Sequence, residues 1–149
     1  MWSDLRRYRR TSSTRRKLLW EALRALAGAR LVMACVPFRR IAAWLGTPGT
    51  ESPMTAPAEE VLVAQEIGWA VGVLARRVPW DGRCLAQALA ATRMLRRRGL
   101  EGTISFGVSQ GEPVKFAAHA WVRVGSYIVT GAPGHERFKT LMTISRGQS

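Results

Sequence analysis

The chain has 149 residues, 47% hydrophobic and 22% charged, a composition that suits one folded domain rather than a disordered segment. Its 23 Lys/Arg stand against ten acids, a formal net charge of +13, and only Asp4 and Asp81 are Asp. So few carboxylates argue against paired-carboxylate or two-metal chemistry, and two Cys with two His exclude a disulfide scaffold and, unless all four converge, a structural zinc site.

The charge is concentrated at the start. Residues 1–40 hold eleven Lys/Arg (among them Arg6, Arg7, Arg9, Arg10, Arg15 and Arg16) against Asp4 and Glu21, a net of +9. Such a block is either a solvated face or a contact for nucleic acid, a membrane surface or an acidic partner. Thr14-Arg15-Arg16-Lys17-Leu18-Leu19 resembles a twin-arginine signal only superficially, because Glu21, Arg24 and Arg30 interrupt the apolar stretch that should follow. Charges break every apolar run below the length of a membrane span, so no transmembrane helix is expected and a cytoplasmic location with reduced thiols is.

Residues 14–45 read as helix, with Leu19, Leu23, Leu26 and Arg30 at helical spacing and Pro37 dividing it. The Gly/Pro-rich stretch 46–57 reads as a linker or long loop. A helix over about 58–77 follows Pro57, with Glu59 and Glu60 in its first turn and Val61, Ala64, Gly68, Val71 and Ala75 inward; Gly68 and Gly72 suggest close packing. A further helix over about 82–98 has Asp81 as N-cap and Gly99 as C′ residue, with Leu85, Ala88, Leu89, Thr92 and Leu95 inward and Arg93, Arg96, Arg97 and Arg98 on the solvent side.

After Gly99 the period changes to two. Strands are expected over 102–108, 116–124, 126–130 and 138–144, with a turn at Gly111–Pro113 and a Gly125-Ser126 hairpin loop. Helices followed by an antiparallel meander make an α+β domain. No Gly-rich phosphate loop is present, so nucleotide binding has no motif, and no cofactor or metal is expected.

Cys84 falls three residues after the Asp81 cap, in the first turn of its helix, where unpaired N–H groups and the helix dipole favour an anion and Arg83 adds positive charge. His119 lies mid-strand. A Cys at a helix start facing a strand His is an arrangement for nucleophilic chemistry, the His taking the thiol proton and helix N–H groups holding an oxyanion. The bland alternative is a small core Cys and a satisfied structural His. Cys35, among Met33, Ala34 and Val36, reads as core, and His135 in Gly-Ala-Pro-Gly-His-Glu-Arg reads as a surface loop residue.

Three segments carry a resemblance: VPWDGRCLAQALAATRMLRRRGLEGTISFGV (78–108), FAAHAWVRVGSYIVTG (116–131) and ERFKTL (136–141). Together they resemble the transglutaminase-like cysteine-protease domain of lasso-peptide maturation proteins, over about the last half of the chain. The resemblance implies a transglutaminase/papain-like core at 58–149, a helix bearing Cys packed on an antiparallel sheet bearing His, behind a basic helical region and linker at 1–57. It implies Cys84 as nucleophile and His119 as general base, and a pocket or structural role for Trp80 and Gln87.

The implied activity is cleavage of the leader from a ribosomally made precursor before a separate, asparagine-synthetase-like cyclase closes the macrolactam ring. Because residues 1–57 show no strand pattern, the chain is read as the standalone protease half of a split system. Its expected partners are then the precursor, a separate leader-recognition protein and the cyclase. The family's catalytic Asp usually falls about a dozen residues after the His; here stand Thr130 and Gly131, placed by the hairpin beside His119. The group orienting the imidazole would then be a backbone carbonyl, Thr130 or water. The competing readings are another acyl-transfer enzyme of the same fold, an amidase or transglutaminase, and a non-enzymatic basic protein binding nucleic acid or anionic membrane. Few aromatics such as Trp2, Tyr8 and Trp20 punctuate the basic stretch, so nucleic acid is not an expected partner.

Overall fold

The computed structural model describes residues 2–78, 84–109, 118–132 and 135–146, and of residues 2–12, 109 and 137 the backbone alone. The expectations for Trp80, Asp81 and Arg83, for the Gly111–Pro113 turn and for the first two residues of the 116–124 strand lie outside the described residues. So do those for the side chains of Arg6, Arg7, Arg9 and Arg10.

The first helix, α1 (Trp2–Cys35), begins a dozen residues earlier than its periodicity suggests. No Gly or Pro interrupts residues 2–27, and Arg is a good helix former. Its buried stripe is Ala22, Ala25, Leu26 and Ala29, one step round from the expected Leu19–Leu23–Leu26 line. Those small residues face the equally Ala-rich α4 (Cys84–Arg97), whose Ala86, Ala88, Ala90 and Ala91 are buried. Two alanine faces let helices pack at close range. Glu21 fixes the pairing, accepting from Arg98 Nη1 and Nη2 at 2.8 and 2.7 Å. Pro37 breaks the chain as expected and opens α2 (Phe38–Leu45), which buries Ile41 and Leu45.

Residues 46–57 form a loop, but a tightly held one. Thr47 and Pro48 make a two-residue strand, β1, paired with residues 144–145. Ser52 N–H donates to Thr103 Oγ1 at 2.8 Å, and the buried Arg123 donates to the carbonyls of Ser52, Pro53 and Gly125 at 2.9–3.2 Å. Neither the charge of Arg123 nor these carbonyls are left unsatisfied.

Helix α3 (Ala58–Ala75) starts after Pro57 with Glu59 and Glu60 in its first turn and buries Ala64, Ile67, Ala70 and Val71. Helix α4 ends in the Schellman arrangement that Gly99 suggests: Leu100 N–H bonds Leu95 O and Gly99 N–H bonds Arg96 O, both at 3.0 Å, with Gly99 at φ +70° and Leu100 buried. Arg96 departs from its expected solvent-facing position. It is half-buried, lies 5.9 Å from the Trp44 ring, and donates through Nη2 to the Leu45 carbonyl.

The expected strands are present as β2 (Thr103–Ser109), β3 (Ala118–Val124), β4 (Tyr127–Thr130) and β5 (Phe138–Ser145). The Gly125-Ser126 hairpin sets Val124 opposite Tyr127. The sheet is antiparallel, in the order β1-β5-β2-β3-β4. It departs from a simple meander at β5, which crosses back to pair with β2. That return brings Phe138 to the end of the sheet where His119 sits. The fold is α+β, with helices packed on one antiparallel sheet around a core running from Ala22 to Ile144.

Candidate active site

Cys84 is the first residue of α4 and is half-buried. His119 is the second residue of β3. Both line one cleft of about 560 Å³, together with Gln87 on the next turn of α4. One wall is α3, through Trp69 and Gly72, with Arg76 just past its C-terminal end; the other is β4 and the residues after it. The walls meet at Gly68, where a Cβ would lie 2.5 Å from the Val129 carbonyl oxygen. Only glycine lets α3 approach β4 so closely, which is the close packing read from the sequence. Gly72, one turn on, faces open space.

The imidazole of His119 is held from three sides. Its Nε2 lies 2.8 Å from the Gly131 carbonyl oxygen. A carbonyl only accepts, so Nε2 carries a proton, which in the neutral tautomer leaves the lone pair on Nδ1. Phe138 stacks on the ring with centroids 4.7 Å apart and planes at 29°, and Trp121 stacks at 5.7 Å and 27°. Both tilt and rotation of the ring are thereby fixed. Gly107, opposite His119 on β2, leaves these side chains room by having none of its own: a Cβ there would lie 3.0 Å from Trp121 Cη2 and from Phe138 Cβ.

The group that orients His119 is therefore a backbone carbonyl. Gly131 has φ +80°, and a Cβ there would lie 2.7 Å from Ala120 O, 2.8 Å from Trp121 Cβ and 3.1 Å from His119 Nε2. The position that the resemblance would give to a carboxylate has no room for a side chain. Thr130, the other candidate, is buried, and its hydroxyl has no hydrogen-bond partner among the described residues. It does not orient the ring.

His135 is more involved than a surface loop residue. It is half-buried, its Nδ1 donates to Ala132 O at 2.9 Å, and its ring lies 5.9 Å from Trp121, behind the stack. Cys35 is exposed, not core: the buried stripe of α1 stops at Ala29, and Leu31 and Val32 are exposed with it. Among the described residues no three His, Cys, Asp or Glu side chains converge on a metal position. Nor is any helix among them long and apolar enough to cross a membrane.

Sequence reasoning missed Trp121 and Phe138 as parts of the site; it placed Gly131 beside His119 but left the orienting group open between a backbone carbonyl, Thr130 and water. Trp121 was legible, since two residues along a strand return to the same face. Phe138 was hidden by the β5 crossover. A thiol and an imidazole on one cleft, with the imidazole proton fixed at Nε2, are equipped for attack on a carbonyl. A family model described as the transglutaminase-like superfamily matches residues 23–143. No curated protein and no solved structure matches the chain.

Proposed function

The chain belongs to the transglutaminase-like superfamily, and from that premise we propose that it is a cysteine peptidase that removes the leader from a ribosomally made lasso-peptide precursor. The observation that carries the peptidase reading is the shared cleft of Cys84 and His119, with Nε2 of His119 bound to the Gly131 carbonyl. The lasso-peptide assignment rests on the resemblance of segments 78–108, 116–131 and 136–141.

In this reading His119 Nδ1 takes the thiol proton and the Cys84 sulfur attacks the scissile carbonyl. N–H groups of the first α4 turn, which have no acceptor within the helix, receive the developing oxyanion. The imidazolium gives its proton to the departing amine of the core peptide, and the leader remains as a thioester on Cys84. Water, deprotonated by His119, then releases the leader as a free acid. A separate leader-recognition protein presents the precursor, a separate cyclase closes the macrolactam on the freed amine, and the setting is the cytoplasm.

The test is incubation of precursor, recognition protein and enzyme, read by mass spectrometry. Cys84→Ala abolishes leader release and Cys35→Ala does not. Comparable release by Cys84→Ala overturns the peptidase reading. Added primary amine that appears on the leader's new C-terminus assigns acyl transfer instead.

A further inference from the structure

A second concave surface lies between α1 and α4. Lys17, Trp20, Glu21 and Arg24 occupy one face of α1, at helical spacings of three and four. Arg93, Met94 and Arg97 face them from α4, and the two helices enclose a groove of about 720 Å³ over a floor of Ala25 and Met94, both buried. Glu21, the acid in the groove, is taken up by the bidentate contact with Arg98, which holds its carboxyl below the ordinary carboxylate range. Lys17, Arg24 and Arg93 have no carboxylate partner among the described residues. Trp20 is 61% exposed at the mouth. Uncompensated cations around an exposed indole and an apolar floor form a polar rim about an apolar anchor point, the anatomy of an interface.

We propose that this groove docks an acidic peptide segment of a partner chain, its carboxylates on Lys17, Arg24 and Arg93 and an apolar side chain against Trp20. The groove favours a peptide over the other polyanions. Single-stranded nucleic acid needs successive stacking platforms along a continuous positive track, and here there is one indole with a carboxylate beside it. A membrane surface engages an apolar face laid flat upon it, and here the apolar floor is recessed. The site is also placed to serve the cleft. Lys17 continues into the neighbouring groove between α1 and α3, where Arg15 lies 4.9 Å from the ring of Trp69, a cleft residue.

The experiment is an anisotropy titration of a fluorescein-labelled peptide of alternating Glu and Leu, against the Gln/Leu peptide, at two salt concentrations. Arg24→Ser with Arg93→Ser weakens binding about tenfold or more and reduces its salt dependence. Trp20→Ser weakens it without changing the salt dependence. Arg39→Ser with Arg40→Ser, on exposed α2 positions, removes the same charge and leaves binding within about twofold. The Trp20, Arg24, Arg39, Arg40 and Arg93 side chains are all exposed, and coincident thermal melts verify the fold. Cys84→Ala binds as the parent does, so docking stands or falls apart from the peptidase reading. Equal binding of the Gln/Leu peptide, equal weakening by the α2 pair, or stronger competition by oligothymidylate or phosphatidylserine vesicles overturns the proposal.

Discussion

Substituting Gly131 by Ala probes the one contact that fixes the His119 proton. The backbone there has φ +80°, where an L-residue is disfavoured by about 1–2 kcal/mol. The added Cβ would sit 2.7 Å from the Ala120 carbonyl oxygen and 2.8 Å from Trp121 Cβ, neither of which is a flexible side-chain tip. Relieving such overpacking costs about 1–3 kcal/mol more. The expected loss is therefore roughly 2–5 kcal/mol, a large part of a small domain's stability. The strand end bearing the Gly131 carbonyl must move, and the bond to Nε2 lengthens with it. Urea unfolding followed by Trp fluorescence measures the first effect. Iodoacetamide labelling of Cys84 under native conditions, in a Cys35→Ala background, measures the second, and the expected direction is slower labelling near neutral pH. Gly131→Asp should behave no better, because its Cβ meets the same atoms before its carboxylate reaches the imidazole. A Gly131→Ala protein as stable and as reactive as the parent would refute the orienting role of this carbonyl.

Thr130→Val is expected to act oppositely. It removes a buried hydroxyl that has no partner among the described residues, so stability should rise by about 1 kcal/mol with Cys84 labelling unchanged; a loss of either assigns the hydroxyl a role. The Glu21 carboxyl is held below its ordinary range chiefly by the hydrogen bonds from Arg98. Its contribution is thus present above the unfolded carboxylate range and fades as pH falls through the lower, folded value. Glu21→Gln should cost up to about 1 kcal/mol at pH 7, given a partly exposed pair, and less at pH 3 by chemical denaturation; a difference that does not shrink at low pH contradicts the pairing.

Side-chain patterning carried the element types well, because burial imposes its period on each helix and strand. Gly99 announced the end of α4, Pro37 the break between α1 and α2, and Gly125-Ser126 the hairpin. The candidate pair was legible for a different reason: Cys84 and His119 are side chains set in recognisable local segments. The imidazole's partner was narrowed only to a backbone carbonyl, Thr130 or water, because a carbonyl leaves no mark on the residue type except that Gly131 must be bare. Cys35 misled because an apolar neighbourhood in sequence says nothing of where a helix runs past its packing partners. Arg96 misled similarly: its position in the last turn suggested solvent, but α2 folds back and offers it the Leu45 carbonyl and the Trp44 ring. Phe138 joins His119 only because β5 returns to β2, and such crossovers are set by tertiary packing rather than by local pattern.

The pairing of Cys84 with His119 is tested most directly by the pH dependence of iodoacetamide labelling. Cys35 is exposed and would react as well, so parent and variant both carry Cys35→Ala. His119→Ala should slow labelling of Cys84 at pH 6–7 and converge on the parent at alkaline pH, where the thiol ionises without help. Identical labelling of His119→Ala and its parent at every pH would show that His119 does not act on Cys84.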